Sequence, residues 1–124
     1  MAVGAMQKRI IFKVDVDPIP FSLDRAVPVG LIVNELLTNS LKHAFPDRET
    51  GTVRVEARRT ADGTVTITVS DDGVGLPSAE VMDRARTLGY RLVKRLSGQV
   101  EARVSVERDH GTCHSIVLPP EATA

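Results

Sequence analysis

The chain has 124 residues, enough for one domain with a single core and too few for two ordinary ones. Lys plus Arg equals Asp plus Glu at 16 each, which argues against nucleic acid or an anionic membrane surface as the main partner. Aromatics make up only 3% and Trp is absent, so the core must be built from Val, Leu, Ile and Ala. The lone cysteine, Cys113, excludes a disulfide framework and a cysteine-built zinc site and fits a reducing, cytoplasmic setting. No apolar run is long enough to span a membrane, so no membrane contact by this domain is expected, and no signal peptide shows. Residues 1–7, MAVGAMQ, read as a tag or linker remnant, residues 8–120 as one domain and 121–124 as a tail.

In chain order, RIIFKVDV (Arg9 to Val16) is β-branched and partly alternating, which predicts a strand. The prolines of DPIPFSLD break regular structure. Ser22 or Asp24 is placed to cap a helix, with Pro28 in its first turn or at a kink. Apolar residues then recur at helical spacing through Val29, Val33, Leu36, Leu37, Leu41 and Ala44, and FPDRETG ends the helix. TVRVEARR and TVTITVSD alternate with period two around TADG, a hairpin pattern. The Gly-rich loop DDGVGLP follows. SAEVMDRAR suits a short helix or a mobile segment, and LGYRLVKRLSG a helix stopped by Gly98. VEARVSVE and TCHSIVLP form a last strand pair around RDHG. Strands clustered in hairpins, with helices between the clusters, predict an α+β fold: a two-layer sandwich with a mixed, mostly antiparallel sheet packed on helices.

Four stretches carry candidate chemistry. In NELLTNSLKHAF, Glu35, Asn39 and Lys42 fall within roughly 60° of one another at about 100° per residue. His43 lies at the edge of that arc, Asn34 and Thr38 extend its other side, and the opposite face is apolar. A solvated helix face shows the same pattern, although Thr38, Asn39 and Ser40 are three mediocre helix formers in a row. In SDDGVGLP, Asp71 and Asp72 supply carboxylates at a strand end, while Gly73 and Gly75 let a ligand approach the backbone. A plain Asp-Gly turn reads the same way. The loop is neither a Walker A loop nor a Rossmann fingerprint. Gly89 stands at a helix start, where free amides can hold phosphate oxygens, or is simply a loop glycine. Thr112 opens the final strand.

Taken in this order, an N-box helix, a DxGxG loop, a glycine before a later helix and a Gly-Thr at a final strand resemble the GHKL ATPase superfamily. That group contains type II topoisomerases, mismatch-repair ATPases, heat-shock chaperones and histidine kinases. NELLTNSLKHAFP with DDGVGLP looks like the catalytic ATP-binding domain of sensor histidine kinases, nearest to the HWE and related subclass. The resemblance covers Arg9 to Pro119 and implies the Bergerat-type ATP-binding fold. It implies that Asn39 binds Mg²⁺ and that Glu35 matches the carboxylate which positions the attacking group in hydrolytic relatives and organises the metal site in kinases. Lys42 and His43 match positions near the phosphates and ribose. Asp71 matches the aspartate that accepts from the adenine amino group, in a pocket shaped by Gly73 and Gly75. Thr112 matches a threonine supporting that aspartate through water. Leu88 and Gly89 are what remains of the second glycine box, with Tyr90 where a small or aliphatic residue is usual. Residues 78–87 match the ATP lid.

The resemblance further implies ATP and Mg²⁺ as cofactors, and transfer of the γ-phosphate to a histidine on a dimerisation and histidine-phosphotransfer domain of the same parent protein, with a response regulator downstream. His43, His110 and His114 do not lie on an upstream dimerisation helix, so the chain is expected to be the catalytic fragment of a longer kinase. Two other readings stay open. Anti-sigma-factor-type serine kinases share the Glu35, Asn39, His43 spacing, and a decayed GHKL module would keep the fold for protein contact alone.

Overall fold

The computed structural model describes residues 9–45, 49–74, 88–108 and 110–121, with His43 and Leu88 described by their backbone only. The elements follow the expected order: β1 (Arg9–Val16), α1 (Leu23–His43), β2 (Thr50–Arg59), β3 (Val65–Asp71), α2 (Leu88–Gln99), β4 (Arg103–Glu107) and β5 (Thr112–Leu118). The expected lid at 78–87, Gly75, and residues 1–7 lie outside the described residues.

Five strands form one sheet in the order β1-β2-β3-β5-β4. β1 runs parallel to β2, and every other pairing is antiparallel. The register puts Val53, Val55 and Ala57 of β2 beside Asp71, Val69 and Ile67 of β3, and these beside Thr112, His114 and Ile116 of β5. Period-two alternation therefore sends one set of side chains from three strands to the same face. Both helices cover that face. α1 buries Val29, Ile32 and Leu36, and α2 buries Val93 and Leu96, against Ala57, Val65, Ile67, Val69, Ile116 and Leu118. A smaller cluster of Ala44, Phe45 and Val53 closes the end where α1 stops. The opposite face carries Thr66, Thr68, Ser70, Arg54 and Glu56 and has no second layer among the described residues.

Edge strand β1 lies largely outside this core. Phe12, Val14 and Val16 stay about half exposed, and Arg58 of β2 ties the strand's end through Asp15, with Nη2 to Oδ2 at 2.6 Å. At the start of α1, Ser22 holds the N-cap position without a side-chain cap of its own. Its backbone N–H and its hydroxyl donate instead to the carboxylate of Glu121, an anion at the positive end of the helix. Arg25, buried in the next turn, donates to the Pro119 carbonyl. Residue 121, expected in the tail, thus contacts the fold. Pro28 falls in the second turn rather than the first, and the helix continues through it.

The end of α2 corrects a sequence expectation. Gly98 does not stop the helix, which runs on to Gln99. Glu101 adopts the left-handed conformation with φ 56°, its N–H donates to Gly98 O at 3.3 Å, and the Ala102 N–H donates to Ser97 O at 2.8 Å. These two bonds form a Schellman cap whose left-handed position is three residues beyond the glycine. A side chain there crowds the backbone, a penalty of about 1 kcal/mol. Glu101→Gly is therefore expected to stabilise the protein by about 0.5–1 kcal/mol, measured as a higher denaturant midpoint at unchanged slope.

Candidate functional site

The site is built where β3 ends, α1 ends and α2 begins. Asp71 is the last residue of β3, opposite Thr112 of β5. Its Oδ1 accepts the Gly73 N–H at 3.0 Å and the Thr112 N–H at 3.3 Å. Oδ2 has no hydrogen-bond partner among the described residues. One carboxylate oxygen therefore fixes the loop and the next strand. Asp72 has a different role. Its Oδ1 accepts the Thr52 N–H at 2.9 Å and its own N–H donates to Thr52 O at 3.2 Å, so it closes the loop onto β2. The two neighbouring aspartates, alike in sequence, are separated by the pleat of the strand.

The loop then crosses the end of α1. The Val74 N–H donates to the Ala44 carbonyl at 2.9 Å. Gly73 is buried against the same residue, and a Cβ on it would lie 2.5 Å from the Ala44 Cβ. The absence of a side chain is what lets the loop dock there.

On α1 the polar group sits on a flank of the helix. Ile32 and Leu36 point into the core, while Leu23, Val27 and Leu31 face solvent. Glu35 and Asn39 are half-buried between these two sides, one turn apart, and Lys42 is exposed. The flank looks towards α2. A Cβ on Gly89 would collide with Glu35 Oε2, so the backbone of Gly89 lies directly against that carboxylate. Thr38 is not part of the group, because its hydroxyl donates to the Asn34 carbonyl at 2.7 Å within the helix. Asn34 is exposed on the far side.

The structure thus joins Glu35 to Gly89, and Asp71 to Gly73 and Thr112, around one end of the sheet. Gly75 and the side chains of His43 and Leu88 lie outside the described residues. Sequence reasoning passed over His114, which follows Thr112 on the inner face of β5 and is only 4% exposed. A signal was present: Thr112, His114, Ile116 and Leu118 alternate with smaller or polar neighbours, which marks all four as inward. A cavity of about 680 Å³ lies at the other end of the molecule, lined by Phe21, Arg25, Asp62 and Glu121 among others. It contains none of these site residues.

A sheet covered on one face by two helices, with a carboxylate at a strand end and a carboxylate and a carboxamide on a helix flank, defines a two-layer α+β architecture with polar groups gathered at one end. The comparisons give the family. The sequence pattern of the histidine kinase-, DNA gyrase B- and HSP90-like ATPases matches residues 24–122, and the chain belongs to that family. It is 34% identical over 121 residues to Blue-light-activated histidine kinase 2 of Erythrobacter litoralis, covering 95% of this chain and 35% of that protein. The chain therefore spans about a third of the length of this relative. The solved histidine kinase domain of the Erythrobacter litoralis blue-light-activated kinase EL346 superposes with a TM-score of 0.82 at 34% identity, over 89% of this chain and 51% of that one. Full-length ShkA, solved in complex with AMPPNP, superposes with a TM-score of 0.70 at 27% identity, over 93% of this chain and 27% of that one. The anti-sigma F factor of Clostridium beijerinckii is 38% identical over 69 residues, 56% of this chain and 46% of that protein. Among the described residues, no helix is long and apolar enough to cross a membrane.

Burial pushes the His114 imidazole below its ordinary value of 6.5, with the Asp71 charge acting in the opposite direction. An unfolded chain takes up this proton near pH 6.5, whereas the folded chain resists until lower pH. Acid therefore favours the unfolded state. Unfolding free energy is expected to fall as pH drops below about 6.5, by at most about 1.4 kcal/mol per pH unit from this group. The difference in denaturant stability between the wild type and His114→Phe, followed from pH 7.5 to 5, isolates that contribution.

Proposed function

We propose that this chain is the ATP-binding catalytic domain of a sensor histidine kinase. In this reading it holds Mg·ATP and delivers the γ-phosphoryl group to a histidine on a dimerisation and phosphotransfer domain of the same parent protein. The observation that carries the reading is Asp71. It is anchored through Oδ1 to two backbone amides, and Oδ2 has no hydrogen-bond partner among the described residues. A carboxylate fixed in this way accepts from the exocyclic amine of adenine, a group guanine lacks at that edge. Charge-assisted bonds of this kind are the strong ones. The kinship with histidine kinases and the AMPPNP complex of ShkA support the choice of ligand.

The remaining residues fall into place around that base. Gly73 and Gly75 shape the base pocket, and Thr112 backs the aspartate. Asn39 offers a carboxamide oxygen to Mg²⁺, and Glu35, one turn earlier, organises the metal site. Among the described residues no three His, Cys, Asp or Glu side chains gather into a metal cage. The oxygen donors present suit Mg²⁺, which keeps water and phosphate ligands and takes few from protein. Bound Mg²⁺ would supply charge neutralisation at the phosphates. Exposed Lys42 adds a positive charge on the same flank, His43 lies beside it in sequence, and the backbone at Leu88 and Gly89 faces the phosphates from the start of α2. Phosphoryl transfer asks mostly for positioning and charge stabilisation, which this set provides. The acceptor imidazole nitrogen forms the new bond to phosphorus as the bond to the bridging oxygen breaks and ADP departs. The parent protein would work in the cytoplasm and pass the phosphoryl group to a response regulator.

The partial match to an anti-sigma F factor supports a second reading, a serine kinase on the same scaffold. One experiment separates the two. The isolated chain is expected to bind Mg·ATP in calorimetry without labelling itself from γ-labelled ATP, and Asp71→Ala should weaken binding at least about tenfold. Adding the parent's dimerisation domain in trans should give an acid-labile phosphoprotein. Acid-stable label on a partner would favour the serine kinase. A folded wild type with no ATP binding at millimolar concentration would refute both.

A further inference from the structure

His114 lies on the inner face of β5, paired across the sheet with Val69 on one side and Val106 on the other. Its side chain is only 4% exposed, and Nδ1 is fully buried with no hydrogen-bond partner among the described residues. Buried polar atoms are almost always paired, so an orphan requires an explanation. The directly opposed residues cannot supply a partner, because both are valines. A pure packing role would be served better by an aliphatic or phenyl side chain, as at Ile116 and Leu118 on the same face. The nearest inward polar groups along the sheet are the next pair, Thr112 and Asp71. Asp71 is the diagonal neighbour across the strand pair, with backbones roughly 7–8 Å apart, close enough for one buried water to bond both side chains.

We propose that His114 is a positioning residue for Asp71: its Nδ1 holds a buried water shared with the Asp71 carboxylate, and so fixes that carboxylate for the nucleotide base. The inference rests on the reading of Asp71 as the base-recognition group. It adds a third polar residue, after Asp71 and Thr112, to the floor of the base pocket. It also accounts for a histidine kept at a core position where its ring is costly to bury. Neutral imidazole suits the role, because Nδ1 then serves as either donor or acceptor to the water.

The test compares the wild type, His114→Phe, His114→Asn and Asp71→Ala. Phe keeps the ring volume and removes both nitrogens, whereas Asn places a polar atom near the position of Nδ1. His114→Phe should stay folded, since a ring still fills the core position, yet bind Mg·ATP about tenfold more weakly. His114→Asn should recover most of that affinity. In the wild type, the ¹⁵N shift of His114 Nδ1 should move when ADP is added, a readout available even if a variant fails to fold. Wild-type affinity in folded His114→Phe, equal losses in the Phe and Asn variants, or an unmoved Nδ1 signal with ADP bound would each overturn the proposal. If Asp71→Ala itself binds ATP normally, the base-recognition reading fails first and the role of His114 falls with it.

Discussion

The end of the sheet that carries the candidate site is organised around one carboxylate oxygen. Asp71 Oδ1 takes the amide of Gly73, two residues on in its own loop, and the amide of Thr112, 41 residues on in another strand. The first bond sets the turn out of β3. The second binds the start of β5 to the end of β3. They act with the Asp72–Thr52 bonds and the Val74–Ala44 bond, which hold the same loop against β2 and the end of α1. The two bonds to Oδ1 also restrict the rotamers open to the carboxylate. A side chain held by two amides presents its second oxygen in one direction, which is the preorganisation a recognition group needs.

The helix layer supplies the second half of the site by a complementary device. α1 is not divided simply into a wet and a dry side. Its core stripe of Val29, Ile32 and Leu36 leaves a flank where Glu35 and Asn39 are half-buried, and α2 begins against that flank at Gly89. Glu35 therefore meets the backbone at the start of α2, and Asn39, one turn on, stays half-buried. The buried apolar face orients α1, and that orientation alone brings Glu35 to Gly89 and the end of the helix to the Asp71 loop. Core packing and site geometry are consequences of the same helical phase.

Much of this was legible in the sequence. Alternation in TVRVEARR, TVTITVSD and TCHSIVLP located three of the strands to within two residues, because a sheet covered on one face imposes a strict period of two. The N-box helix and the Asp-Gly loop stood out for their composition. What periodicity could not show was contact between elements distant in the chain. Alternation puts Asp71 in phase with Val65, Ile67 and Val69 and Asp72 out of it, but nothing local reveals that Thr38 turns back onto its own helix. Leu41 looked like a core position and is exposed, since the helix buries a narrower stripe than its apolar residues would allow. Gly98 drew attention as a stop signal because glycine usually occupies the left-handed cap, whereas here Glu101 takes that conformation. His114 was readable from alternation alone, but a histidine on a buried face acquires meaning only once its neighbours are known to be Val69, Val106 and the Asp71–Thr112 pair.

The central claim is that one end of the sheet, between the end of β3, the flank of α1 and the start of α2, is the nucleotide site. Backbone amide shifts followed during a titration with Mg·ATP test it most directly. The account predicts that the changes concentrate at Asp71 to Val74, Thr112, Glu35 to Lys42 and Gly89, with little movement at the far cavity. Changes centred instead on Phe21 to Arg25, Asp62 and Glu121 would contradict it.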